Sequence, residues 1–214
     1  MIDGIIFDLD GTLADSLPYL YLANRRVVEE YGNALTRAEF VEMWLRTGEG
    51  LRGAIEHKKL LVSPEVFRAR RNELYLRYLE HEIGPVPGAV SLVERLHAEG
   101  FALALASGSR TPHVELLLRR FGIRKRFRVV LGGETVSVMK PDPEIFLKAA
   151  DELGIGPAGC LVVEDSIAGI LAAKQAGMKC IARLNEYSDR SELATADLAV
   201  KDLDQIDAAK IRQL

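Results

Sequence analysis

Apolar residues along this chain come in two rhythms, and each predicts a different kind of element. Short runs with little polar interruption occupy Ile2 to Phe7, Phe101 to Ala106, Val129 to Leu131, Cys160 to Val163 and Cys180 to Ala182, with Ala199-Val200 as a last, edge-like pair. Runs of that length, bounded by turn residues, read as strands buried on both faces, the pattern of a parallel sheet. Between them the spacing turns helical. Val90 to Leu96 predicts a helix ending near Gly100, Pro112 opens one that stops at Gly122, and Ile167 to Ala176 is closed by Gly177. A further helix ends near Gly154, with Asp142 expected as its N-cap and Pro143 as its first residue. Strand and helix thus alternate over 86–214, which predicts a doubly wound α/β sheet with right-handed crossovers.

Residues 15–85 break the alternation. Leu17 to Tyr31 is periodic up to Gly32, Thr36 is placed to cap a helix carrying Phe40, Met43 and Trp44, a third helix covers about 51–60, and Ser63-Pro64 starts a long one through Ile83. Four helices without a strand predict a small α-helical bundle inserted behind the first strand, ending at Pro85-Val86-Pro87-Gly88. The expected division is an α/β core from 1–14 and 86–214 with a helical insert over 15–85.

Composition narrows the function classes. The 214 residues carry a net charge of −3 with both signs interspersed, so neither a nucleic-acid stripe nor a polybasic membrane anchor is expected. The densest basic cluster, Arg124 to Arg128, fits a solvated loop. No apolar stretch approaches the ~20 residues that span a bilayer. Two cysteines without CxxC spacing, and a strand beginning at once, suit a reducing, cytoplasmic setting. Four scattered histidines show no metal-ligand spacing.

The chemistry gathers at strand ends. Asp8-Leu9-Asp10-Gly11-Thr12 follows the first strand, Ser107-Gly108-Ser109 the second, and Glu164-Asp165-Ser166 the one ending at Val163; Lys140 opens Pro141-Asp142-Pro143 between them. Carboxylates crowded at one place repel and desolvate poorly, so they call for a cation or a cationic side chain. Ligands of open parallel sheets bind beyond the carboxyl ends of strands. Several carboxylates, a hydroxyl near backbone N–H groups and one lysine suit a divalent cation and a phosphoryl group. Taken alone, an Asp-Leu-Asp-Gly segment is also what a solvated turn looks like; its company separates the two.

With DLDGT at 8–12, Ser107, Lys140 and the acidic pair 164–165 in that order, the chain resembles the haloacid dehalogenase-like phosphatase superfamily. DLDGTLADS, KPDPEIF at 140–146 and VVEDSIAGI at 162–170 are similar to the subgroup that includes phosphoglycolate phosphatase and β-phosphoglucomutase. The resemblance spans nearly the whole chain and implies a Rossmann-like core with a helical cap. It implies a Mg²⁺-dependent phosphomonoesterase acting on a small phosphorylated metabolite through an aspartyl phosphate. Asp8 is then the nucleophile, Asp10 the general acid and base, and Ser107, Gly108 and Lys140 the phosphate contacts. Asp8, Asp10 (through its carbonyl) and Asp165 are the expected metal ligands, and Glu164 is a candidate ligand directly or through water. Arg110, Arg46 and Arg52, the last two flanking Gly48-Glu49-Gly50, are candidate substrate contacts, with Lys58 and Lys59 more readily a solvated helix face. The alternatives are a phosphosugar mutase and an idle binding protein. Mutases of this subgroup carry a histidine where this chain has Leu20, so the resemblance favours hydrolysis.

Overall fold

The computed structural model describes residues 1–188, 191 and 193–214, and separates into two compact units: Met1–Asp15 with Gly84–Leu214, and Ser16–Ile83. The first unit is built on six parallel strands: β1 Gly4–Phe7, β2 Ala102–Ala106, β3 Phe127–Leu131, β4 Cys160–Glu164, β5 Lys179–Arg183 and β6 Leu198–Val200. They lie in the order β3-β2-β1-β4-β5-β6. Strand order therefore reverses at β1, which pairs with β2 on one side and β4 on the other.

Both faces of the sheet are buried, which is why its strands read as continuous apolar runs. On one face Ile6, Ala104, Val129, Val162 and Cys180 share a core with Ile145, Phe146 and Ala149 of helix α7 (Glu144–Leu153) and with Ile170 and Ala173 of α8 (Ile167–Gln175). The opposite-facing Ile5, Phe7, Leu103, Leu105, Leu161 and Ile181 are equally buried. Helices α5 (Ala89–Ala98) and α6 (Thr111–Arg120) each bury one apolar stripe, Leu92, Val93 and Leu96 in the first, Val114, Leu117 and Leu118 in the second. A four-residue helix α9 (Ala208–Ile211) follows the edge strand. Cys160 and Cys180 are free, and burial pushes both thiols up, Cys160 to about 11, so they are structural.

The second unit holds α1 (Leu17–Glu30), α2 (Arg37–Phe40), α3 (Gly50–His57) and α4 (Pro64–His81) around Val27, Val28, Phe40, Met43, Ala54 and Phe67. Thr36 caps α2 as expected, its hydroxyl accepting from the Glu39 amide while the Glu39 side chain accepts from the Thr36 amide. Ser63 likewise accepts from Val66 N–H at the start of α4. One feature departs from the regular helix expected through Met43 and Trp44. Val41–Arg46 is a π-turn, with Thr47 N–H reaching the Glu42 carbonyl at 2.9 Å, and the wider turn stacks Trp44 on Phe40 at 5.4 Å.

Two expectations about charge need correction. Lys58 is not on a solvated face: its side chain is only 13% exposed and its ammonium lies 2.7 Å from Glu39. Arg124 to Arg128 is not simply a solvated cluster either. Arg124 pairs with Glu115 and donates to the Phe127 carbonyl, and Arg126 pairs with Glu94, so two of its charges tie a short turn to α6 and α5.

Candidate active site

The strand ends bring together most of the residues that the sequence singles out. Asp8 leaves β1 with its amide still donating to the Val163 carbonyl at 3.0 Å, which fixes it beside the end of β4. The chain then turns sharply: the Leu9 carbonyl accepts from the amides of Thr12, Leu13 and Ala14, and Gly11 takes φ +80°, a conformation open to glycine. Asp10 is thereby aimed at the loop after β2. Its carboxylate accepts from Ser109 Oγ at 2.6 Å and from Ser107 Oγ at 3.3 Å. That loop is itself pinned, because Gly133 donates to the Ser109 carbonyl and Glu134 accepts from Thr111 N–H at the start of α6.

Lys140 is the hub. Its buried ammonium donates to Asp8 Oδ1 at 2.7 Å, to Glu164 Oε1 at 2.7 Å and to the Ala106 carbonyl at 3.1 Å, and it sits 4.7 Å from the centre of the Phe146 ring. The rest of KPDPEIF holds it there. Helix α7 begins one residue later than expected: Pro143 takes the cap position, and the Asp142 carboxylate accepts from Glu144 N–H at 2.9 Å. Glu144 in turn accepts from the amides of Ser137 and Val138, fastening the approach to Lys140. The role of Glu144 was invisible in sequence because its partners are backbone groups.

Glu164, at the end of β4, is saturated. One carboxylate oxygen takes Lys140; the other accepts from Asp165 N–H and Ser166 N–H, both at 2.8 Å, and from Ser166 Oγ at 2.9 Å. Ser166 Oγ also accepts from Gly169 N–H, capping α8. Asp165 receives Asn185 Nδ2 at 2.7 Å. Asn185 and Arg183, whose guanidinium donates to the Gly11 carbonyl, were missed in sequence; no motif marks them, although Asn185 follows a strand end as the other site residues do.

One ligand atom from each of the buried Asp8, Glu164 and Asp165 lies within 4.8 Å of the others. Burial is the first cause pushing the Asp8 carboxyl up to about 8, with Glu164 and Asp10 adding to it and Lys140 opposing. Burial, then Glu164 and Asp8, also raise Asp165 well above the carboxylate range, against Arg183 and Lys140. Burial works against the Lys140 ammonium too, but the charges of Asp8 and Glu164 outweigh it and keep the amine protonated. Oxygen-only donors, crowded and desolvated, fit a hard divalent cation. Since Glu164 has its oxygens engaged, Asp8 and Asp165 are the carboxylates with room for direct ligation. The carboxylate of Asp10 faces the serines rather than this acidic group. Arg110 follows this constellation at the threshold of α6, whereas Arg46 lies 3.6 Å from Glu42 on the π-turn and Arg52 on α3, both in the inserted unit.

A reversing parallel sheet whose C-terminal edge collects carboxylates around one buried lysine is an α/β enzyme site suited to phosphoryl transfer. The chain belongs to the haloacid dehalogenase-like hydrolases, whose family model matches residues 2–177. It is 36% identical over 182 residues to the phosphorylated carbohydrates phosphatase of Thermotoga maritima, covering 84% of this chain and 83% of that one. The crystal structure of CbbY from Rhodobacter sphaeroides in complex with phosphate superposes with a TM-score of 0.83 at 31% identity, covering 95% of each chain. β-Phosphoglucomutase from Clostridium difficile superposes at 0.84 with 26% identity, over 100% of this chain and 96% of that one.

Proposed function

We propose that the protein is a Mg²⁺-dependent phosphomonoesterase that hydrolyses a small phosphorylated metabolite through an aspartyl phosphate on Asp8. The observation that carries this reading is the Asp8 carboxylate held 2.7 Å from a buried Lys140 beside Asp165 and Glu164. Asp8 attacks phosphorus in line, the bond from phosphorus to the leaving oxygen breaks, and Asp10 gives that oxygen its proton. Asp10, now a carboxylate, takes a proton from the water that attacks the acyl phosphate, and release of inorganic phosphate restores Asp8. Ser107 and the Gly108 amide orient the phosphoryl oxygens, and Lys140 offsets their charge. A Mg²⁺ ion held by Asp8, Asp165 and the Asp10 carbonyl would supply the positive charge that keeps Asp8 ionised near neutrality.

The similarity to β-phosphoglucomutase keeps a phosphosugar mutase as the second reading. Against it, Leu20 is a half-buried apolar residue packed on the core of the inserted unit, and no proton-transfer group stands at that position. The test is phosphate release across a panel of phosphorylated metabolites, with Mg²⁺ and with chelator, for the wild type and Asp8→Asn. Release that needs Mg²⁺ and falls at least about a hundredfold in the variant supports the proposal. Conversion of β-glucose 1-phosphate to glucose 6-phosphate outrunning phosphate release would put the mutase first.

A further inference from the structure

The loop after β5 reaches into the acidic site with a side chain that is itself held rigidly. Asn185 Nδ2 donates to Asp165 Oδ2 at 2.7 Å. The other end of the same amide is occupied: its Oδ1 accepts from Tyr187 N–H at 2.8 Å and from Ser188 Oγ at 3.1 Å. The Asn185 backbone amide donates to Ser188 Oγ, so the hydroxyl and the side chain close a small ring. With Oδ1 facing two donors, the amide cannot turn over without losing both bonds, and its NH₂ is fixed toward Asp165. Two residues earlier, Arg183 anchors the end of the strand by donating to the Gly11 carbonyl, in the loop that follows Asp10. Asp8, Glu164 and Asp165 crowd three carboxyl groups around the single ammonium of Lys140, an imbalance that a divalent ion would relieve.

We infer that Asn185 is a positioning residue for Asp165: it occupies one carboxylate oxygen and so presents the other, in a fixed orientation, to the cation. The inference rests on the reading that this acidic group binds a divalent ion. Partners behind a ligand fix its rotamer and basicity, and their loss typically costs about 10- to 100-fold in metal affinity. A carboxylate without that restraint can rotate, and the ion must order it on binding.

The experiment is Mn²⁺ binding to the full chain by electron paramagnetic resonance, in the absence of substrate, for wild type, Asn185→Ala and Ser188→Ala. Melting is measured in chelator alongside. Asn185→Ala should raise the Mn²⁺ dissociation constant by at least about tenfold. The Mg²⁺ concentration giving half-maximal phosphate release should rise by a larger factor than kcat falls. Ser188→Ala keeps the amide and removes only its lock, so its affinity should fall by a smaller factor; it carries the test alone if Asn185→Ala does not fold. A folded variant that melts lower in chelator yet binds Mn²⁺ as wild type does overturns the positioning role. Wild type that binds no Mn²⁺ refutes the cation reading itself, a different outcome.

Discussion

Gly169 offers the sharpest test of how the site is held. It lies in the first turn of α8, and a Cβ built there would meet Glu164 Oε1 at 1.8 Å and the Glu164 carboxyl carbon at 1.9 Å. Contacts under 3.0 Å are essentially never made by real Cβ atoms. In Gly169→Ala the carboxylate must therefore retreat by roughly 1.2 Å, a minimum set by that limit. It cannot do so freely, because Lys140, two backbone amides and Ser166 Oγ hold it at 2.7–2.9 Å. Either those bonds stretch, which loosens the hold of Glu164 on Lys140 beside Asp8, or α8 shifts and takes the Ser166 cap with it. A displacement of about 1 Å in a positioning group costs on the order of a hundredfold in rate, or about 2.7 kcal/mol of barrier. Helix propensity argues in the opposite direction, since alanine in a helix is about 1 kcal/mol better than glycine. For a chain of this size that gain would raise the melting temperature by roughly 2–4 °C if nothing clashed. The assay is kcat for phosphate release together with a thermal melt. A variant with wild-type kcat and a raised melting temperature would show that Glu164 is free to move, and would refute the view that its saturation locks the site.

Asp10→Asn should slow single-turnover phosphorylation by a sugar phosphate more than by p-nitrophenyl phosphate, because the phenolate leaves with little need of a proton; equal losses would remove Asp10 from the acid's role. In the inserted unit, the Lys58 hydrogen bond, followed by the Thr36 amide, pulls the Glu39 carboxyl down to about 2 from an ordinary 4.5. A depressed acid stabilises the fold above its unfolded pKa, and that contribution is lost as pH falls from about 4.5 toward about 2. Carbon-detected NMR titration should find Glu39 near that low value in wild type and moved up toward the ordinary range in Lys58→Met; an unmoved titration refutes the pairing.

How much of this was legible in the sequence depends on the partner each residue chose. Strands buried on both faces announce themselves as apolar runs, and Gly100, Gly122, Gly154 and Gly177 end helices by a local rule, each taking positive φ. Residues that act through backbone or through one another were harder to read. Glu144 holds Ser137 and Val138 amides, Glu134 holds Thr111 N–H, and nothing in composition distinguishes them from solvated glutamates. The π-turn at Val41–Arg46 was hidden because Phe40, Met43 and Trp44 stand at the i, i+3, i+4 spacing of a regular helix, and six residues are too few to show a wider period. The start of α7 was displaced by one residue because Asp142 caps from a turn position, with Pro143 between it and the helix.

The central position of β1 has a consequence for how the molecule is made. Ile6 must wait for Ala104 on one side and Val162 on the other, and the inserted unit, Ser16–Ile83, is synthesised before either. At about 5–20 residues per second, roughly 8–30 s separate the emergence of Phe7 from that of its β4 partner Val163. Throughout that interval the strand that carries Asp8 has no neighbour on its β4 side. The first strand made is thus a central one that stays half-paired through most of synthesis, and the surroundings of Asp8 assemble only when about three-quarters of the chain is present.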